Sequence, residues 1–171
     1  MTNPLRNPTS SGFTLVEIVA AIVLFGIIGA MVSRLLAQGF TAYVTGRNIA
    51  ETDWQGRVAL ERFTREVRNI RAPSDITITS ASDFSFVDVD GTTIRYCLGA
   101  VGTCPGAIGE LMRNTQSLAY GISSVTFSYL TKTNAATVVP AQIFTILASF
   151  TATQGAISKD YTVAVSPRNF P

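Results

Sequence analysis

Hydrophobic and polar positions divide the chain into three stretches with different patterns. Residues 13–36 are almost entirely apolar, and Glu17 is the only charged side chain between Phe13 and Ser33. As an α-helix rising about 1.5 Å per residue, the stretch from Phe13 to Ser33 spans roughly 32 Å, which is close to the hydrocarbon thickness of a bilayer. The first stretch therefore predicts a membrane-spanning helix.

Residues 37–72 keep a helical period but carry many charges. Apolar positions recur three or four residues apart at Leu60, Phe63, Val67 and Ile70, and Trp54 and Val58 precede them. Such spacing is typical of a helix that buries one face. Glu61 and Arg65 form a favourable i, i+4 pair, and Pro73 ends the pattern. We therefore expect one long helix from residue 13 to about residue 71, apolar in its first half and amphipathic in its second.

Residues 73–171 have the alternating pattern of strands. Strand-like segments fall at 76–79, 84–89, 93–98, 125–129, 144–150 and 161–165. Asp90-Gly91 separates the second and third segments and is a strong hairpin signal. One helix followed by consecutive strands predicts an α+β fold, in which the amphipathic half of the helix packs on an antiparallel β-sheet. We interpret residues 166–171 as a tail that leaves the last strand.

Composition argues against most catalytic chemistry. The 171 residues include no histidine, which removes the commonest general base and metal ligand. Cys97 and Cys104 cannot supply the four ligands of a zinc site on their own, and their spacing is not that of a redox-active Cys-x-x-Cys pair. We predict a local disulfide between them, formed in an oxidising compartment. We expect no enzyme activity, no cofactor and no metal.

The stretch Asp88-Val89-Asp90-Gly91 has a second interpretation, as part of a calcium loop. A complete loop needs further oxygen ligands at fixed spacing, including a distal glutamate, and the sequence lacks them. We interpret it as a hairpin turn.

The residues before the apolar stretch are polar. Residues 1–12 include Arg6 but no hydrophobic core, so they are not an ordinary secretory signal. The sequence from Gly12 to Glu17, Gly-Phe-Thr-Leu-Val-Glu, resembles the class III signal of type IV pilins and type II secretion pseudopilins. This resemblance implies that prepilin peptidase cleaves a 1–12 leader after Gly12 and methylates the new amine of Phe13. It also implies that Glu17 pairs with the amine of a neighbouring subunit during filament assembly. The simpler alternative is that Glu17 extends to the membrane interface.

The same resemblance implies partners and a location. Partners are the other pilins or pseudopilins of the filament, prepilin peptidase and an inner-membrane assembly platform. The leader lies in the cytoplasm and the strands in the periplasm, with a helix at 13–36 in the inner membrane. Arg6 lies on one side of that helix and Arg34 and Arg47 on the other, so the positive-inside rule is close to neutral.

Three features suggest a minor subunit. Residues 57–71 resemble the corresponding segment of minor pilins and J-type minor pseudopilins, and residues 166–171 resemble the ends of minor pilins of the mannose-sensitive haemagglutinin type. In addition, Arg34 stands where major pilins often have a proline. Seven arginines and four acidic residues lie between Arg34 and Arg71, a mixture that we interpret as a solvated helix face, with no nucleic acid expected.

Two other functions are possible from the sequence. The loop between the cysteines, residues 99–103, is a candidate site for adhesion or for substrate binding at a filament tip. A membrane-tethered enzyme is the third alternative, which the lack of histidine disfavours. The choice between a pilus and a secretion filament stays open.

Overall fold

The computed structural model of the chain describes residues 12–170. The described residues fall into two compact units, which divide between Val44 and Thr45; the second is called the unit 45–171 below. Helix α1, Leu15–Val67, supplies the described helical residues of the first unit and continues into the second. The long helix predicted from the first two stretches is confirmed.

The second unit holds eight strands in two antiparallel sheets. One sheet has five strands in the order β1-β2-β3-β4-β5, and the other has three in the order β6-β7-β8. The strands are β1 Thr77–Ser80, β2 Asp83–Val87, β3 Thr93–Leu98, β4 Glu110–Arg113, β5 Gln116–Tyr120, β6 Ile122–Leu130, β7 Thr145–Gln154 and β8 Ile157–Val165. The α+β class is confirmed, although the sequence analysis predicted one sheet and did not find β4 and β5.

The predicted hairpin lies between β2 and β3. The two strands pair from Asp83 opposite Cys97 to Val87 opposite Thr93, and Gly91 in the turn has φ of 82°. This left-handed conformation favours glycine. Asp88 Oδ1 accepts the backbone N–H groups of Asp90 and Thr92 at 3.0 and 2.8 Å. The aspartates therefore act as turn residues, as the sequence analysis expected.

Phe63 lies at the centre of the core, between α1 and both sheets. Its ring centroid is 5.4 Å from that of Tyr96 and 6.1 Å from that of Phe84 in the five-stranded sheet. It is 5.8 Å from the rings of both Phe127 and Phe150 in the three-stranded sheet. One helix residue thus joins two sheets, which share a continuous hydrophobic core.

The buried face of α1 differs from the predicted face at its beginning. Phe63, like the predicted Val67 and Ile70, is fully buried, but Trp54 is 64% exposed. Gly56 faces the core instead, because a Cβ at this position would overlap the ring of Tyr161. The expectation for Trp54 was wrong because the spacing of nine residues between Trp54 and Phe63 makes about two and a half helical turns, which places the two side chains on opposite sides of α1.

The regular helix ends at Val67, a few residues before the predicted end. Ile70 forms an isolated bridge with Asp88 beyond β2, which takes the chain out of the helical path. The C-terminal residues return to this point. The N–H of Arg168 donates to the carbonyl oxygen of Arg68 at 3.1 Å, and the Asn169 amide donates to that of Ile70 at 3.0 Å. Residues 168–169 are therefore held against the end of α1, in contrast to the predicted tail.

Candidate functional site

The predicted cleavage position lies directly before α1. Gly12, Phe13 and Thr14 precede the first helical residue, and all three are exposed. The hydroxyl of Thr14 accepts the backbone N–H of Glu17 at 3.3 Å, so Thr14 acts as the N-cap. The pattern Thr-x-x-Glu is the sequence signature of a capping box, of which this hydrogen bond is one half, and the sequence analysis did not use that signal. The rest of the leader, residues 1–11, lies outside the described residues.

Glu17 is exposed in the first turn of α1. A carboxylate at this position interacts favourably with the partial positive charge of the helix N-terminus. Across residues 12–170, its carboxylate has no ion-pair partner within 4.0 Å. Both predicted roles of Glu17, pairing with a neighbour and extension to the interface, thus compete with a local role at the helix start.

The first half of α1 exposes its apolar side chains. Its most apolar 18-residue window has a mean hydropathy of 2.7, and no part of that window is buried within the chain. By length and composition, α1 is the one described helix that could cross a membrane. No atom lies within 4 Å of a Cβ built at Gly26 or Gly29. An apolar surface of this extent needs a bilayer or neighbouring helices to cover it.

The second half of α1 is joined to the five-stranded sheet by a network around Glu66. Its carboxylate accepts hydrogen bonds from Arg113 at 2.8 and 2.9 Å, from Tyr96 at 2.8 Å and from Arg62 at 2.5 Å. Burial alone would raise the pKa of the Glu66 carboxyl, but the donors, Arg113 first, outweigh burial and hold that pKa below its ordinary value of 4.5. Burial, with the charge of Glu66, raises the pKa of Tyr96.

A second network joins α1 to β8 in the three-stranded sheet. The carboxylate of Asp53 accepts hydrogen bonds from Lys159 at 2.5 Å, Arg57 at 2.6 Å and the Tyr161 hydroxyl at 3.0 Å. These donors, Lys159 first, hold the pKa of Asp53 well below its ordinary value of 3.8. The two networks attach one helix to β3 and β4 of the first sheet and to β8 of the second, so both have a structural role.

The predicted disulfide is present. Cys97 in β3 is bonded to Cys104, with a Cα–Cα distance of 5.8 Å. Both cysteines are buried and pack with Met112 in a small cluster apart from the main core. Arg95 also holds the loop, since it donates to Thr103 Oγ1 at 2.8 Å and to the buried Asp83 at 2.5 and 2.9 Å. No signal in the sequence connected Arg95 with this loop.

Among the described residues, no group of three or more His, Cys, Asp or Glu side chains is placed to hold a metal ion. In the networks around Glu66 and Asp53, the carboxylates form ion pairs with nearby cationic side chains. Neither cluster leaves a free base beside a nucleophile, which is the arrangement that covalent catalysis uses.

Comparison with known proteins identifies the N-terminal segment. Residues 7–33 match the family model described as the prokaryotic N-terminal methylation motif. None of the curated proteins compared with the chain matches it. The matched segment contains Gly12, Phe13 and Glu17 and ends within the apolar half of α1. This match supports a type IV pilin-like protein with a class III signal, and it indicates a pilin or pseudopilin substrate of prepilin peptidase that assembles with other pilins.

Proposed function

We propose that this chain is a minor pilin or minor pseudopilin, a structural subunit of a type IV pilus or a type II secretion filament. Before assembly it lies in the inner membrane through residues 13–36, with residues 73–171 in the periplasm. The observation that carries the proposal is the exposed apolar half of α1, most of which lies within the methylation motif. A bilayer can cover the apolar surface of such a helix before assembly, and neighbouring helices can cover it in the filament core afterwards.

In this proposal each residue of the motif has one task. Prepilin peptidase cleaves after Gly12 and methylates the amine of Phe13, and Glu17 pairs with that amine on a neighbouring subunit. A charge buried between apolar helices is strongly unfavourable unless it is paired. The missing internal partner of Glu17 supports this role, because its carboxylate stays available to a neighbour.

Other partners in this proposal are the remaining subunits of the filament and its inner-membrane assembly platform. We expect no nucleic acid, although the second half of α1 is rich in arginine. Three of its arginines, Arg57, Arg62 and Arg65, are paired with carboxylates of the same helix at 2.5 to 2.8 Å. Guanidinium groups that are already paired are less available to the phosphates of a nucleic acid.

Two experiments test the proposal. Mass spectrometry of the mature chain should find a methylated N-terminus at Phe13, and a mature chain beginning at unmodified Met1 would refute processing. Glu17→Ala should leave the chain stable and processed, but should strongly reduce its entry into filaments. Glu51→Ala is a matched control, since Glu51 is an exposed glutamate on the same helix, and it should assemble normally.

A third variant separates pairing from the local role at the helix start. Thr14→Ala removes the side-chain hydrogen bond to the backbone of Glu17 but keeps the carboxylate. Under the pairing proposal, Thr14→Ala assembles much better than Glu17→Ala. Equal loss in the two variants would mean that Glu17 serves only to start the helix.

A filament-tip binding module is the second candidate function. The observation in its favour is the disulfide loop, whose neighbour Ile108 is 90% exposed. An apolar side chain presented beside a cross-linked loop suits contact with a surface or a secreted substrate. Adhesion or substrate capture that persists after deletion of residues 99–103 and in Ile108→Asp would exclude this site.

A further inference from the structure

The end of α1 borders an open groove with an excess of positive charge. The groove, about 760 Å³ in volume, is lined by four arginines and one glutamate, namely Arg57, Arg65, Arg68, Arg168 and Glu61. Its formal charge is therefore +3, whereas the whole chain has 13 basic and 11 acidic residues. The remaining nine basic and ten acidic residues sum to −1, so the positive excess of the chain is concentrated at this arginine groove.

Two of the four arginines lack an internal partner. Arg57 and Arg65 pair with Asp53 and Glu61 at 2.6 and 2.8 Å. Within the part of the chain that the structure describes, Arg68 and Arg168 have no carboxylate oxygen within 4.0 Å. A backbone hydrogen bond of 3.1 Å joins these two residues. Two unpaired charges of the same sign on neighbouring residues favour an anionic group from outside the chain.

An acidic hairpin tip lies beside the arginine groove. Val89, between Asp88 and Asp90, donates its N–H to the carbonyl oxygen of Asn69 at 3.0 Å, and Asn69 lines the groove. Val89 is 51% exposed. Neither aspartate forms an ion pair with any described residue. A basic half and an acidic half of one surface therefore meet at the contact between Val89 and Asn69.

We propose that this surface binds a second copy of the chain. A two-fold rotation about an axis near Val89 exchanges the basic and acidic halves, so that each groove receives the acidic tip of the other copy. Arg68 and Arg168 then face Asp88 and Asp90 twice, while the two Val89 side chains meet at the centre. The inference goes beyond the proposed function and does not depend on it, because all of these residues lie in the unit 45–171.

The expected dimer is transient. Exposed ion pairs are individually weak and are screened by salt, so dimerisation should be stronger when the copies are confined to a membrane and should fall as the salt concentration rises. The charges would then determine the orientation of the two copies more than their affinity.

The test uses the full chain in membranes, with a photoreactive amino acid in place of Val89. Light should give a cross-linked dimer. Mixing isotope-labelled and unlabelled copies should show that residue 89 of one copy is joined to residue 89 of the other, or to Asn69 beside it. Arg168→Glu or Asp90→Arg should lower the dimer yield roughly tenfold, since each reversal turns two attractions into repulsions. Lys132→Glu, a matched reversal on an exposed lysine outside the groove, should leave the yield unchanged.

Mixing the two reversed variants provides the decisive result. Arg168→Glu and Asp90→Arg chains are complementary to each other, so together they should recover the dimer that neither forms alone. Recovery would also show that both variants fold. The neutral variants Arg168→Gln and Asp90→Asn should lower the yield about threefold each. Failure to recover, an unchanged yield in Arg168→Glu, or a cross-link to a different anionic partner would overturn the second copy as the occupant.

Discussion

The network around Glu66 provides a quantitative test of how α1 is held on the five-stranded sheet. Glu66→Gln keeps the size of the side chain and removes its charge. The Glu66 side chain is 11% exposed, and its partner Arg113 is 22% exposed. The substitution therefore leaves a mostly buried guanidinium without a counter-ion, which is more costly than the loss of an exposed pair.

The size of the effect follows from the contacts. Charge-assisted hydrogen bonds contribute about 1.5–3 kcal/mol each, and glutamine retains some of those donated by Arg113, Tyr96 and Arg62. We expect Glu66→Gln to lower the free energy of unfolding by about 2–4 kcal/mol. Glu61→Gln is the matched control, because Glu61 pairs with Arg65 on the same helix but is 74% exposed. It should lower the free energy by less than about 0.5 kcal/mol.

The pH dependence of stability is an independent test of the direction of the Glu66 pKa shift. The folded-state pKa of Glu66 lies below the ordinary value of 4.5, so the folded state binds fewer protons there than the unfolded state does. The contribution of Glu66 to stability is complete above pH 4.5, and it is lost as the pH falls below that value through the lowered folded-state pKa. The stability difference between the native chain and Glu66→Gln should therefore shrink on acidification from pH 7.

Urea unfolding of the full chain in detergent micelles measures both effects. Near-UV circular dichroism follows the packed aromatic cluster around Phe63, which lies in the unit 45–171. The reasoning would be refuted if Glu66→Gln and Glu61→Gln lowered the free energy of unfolding equally. A difference that grew towards low pH would contradict the assigned direction of the pKa shift.

Three further predictions concern packing and the loop. Phe63→Ala should lower the free energy of unfolding by about 3–5 kcal/mol, because it empties the junction of both sheets; a loss below 1 kcal/mol in the same urea assay would contradict that role. Replacing Cys97 and Cys104 by serine should lower the free energy of unfolding by about 2 kcal/mol, because the unfolded chain gains loop entropy. An unchanged urea midpoint would contradict this stabilising role of the disulfide. Gly56→Ala should lower the free energy of unfolding by about 1–3 kcal/mol, because the added methyl group overlaps the ring of Tyr161 in β8. Gly46→Ala, on the same helix in open space, should instead stabilise by about 0.5–1 kcal/mol, so equal effects would refute the overlap.

Local patterns predicted the elements that depend on neighbouring residues. The apolar half of α1, the Asp90-Gly91 hairpin and the disulfide between Cys97 and Cys104 each lie within one short segment, and each is present. Strands β4 and β5 were not predicted because their apolar residues are adjacent and do not alternate, Leu111 and Met112 in β4 and Leu118 and Ala119 in β5.

The buried face of α1 shows why a helical pattern is not sufficient. Trp54 and Phe63 are both large and apolar, and the sequence analysis assigned both to one face, although a spacing of nine residues, or about two and a half turns, places them on opposite sides of the helix. The structure places glycine at the closest approach to the sheet and leaves Trp54 in solvent. The distance between a helix and a sheet depends on side chains from a remote strand, here Tyr161, which the local pattern does not include.

Dependence on neighbouring residues or on distant residues also separates the candidate site from the contacts that hold the domain together. Gly12, Phe13 and Glu17 fall within six consecutive residues, and under the proposed function they act where the chain meets an enzyme or a neighbour, so the proposed role depends on that short segment alone. Glu66 and Arg113 are 47 residues apart in the sequence, and their pairing depends on the register of β3 and β4. A substitution at Glu17 should therefore change assembly without changing the stability of the unit 45–171, whereas a substitution at Glu66 should change stability first.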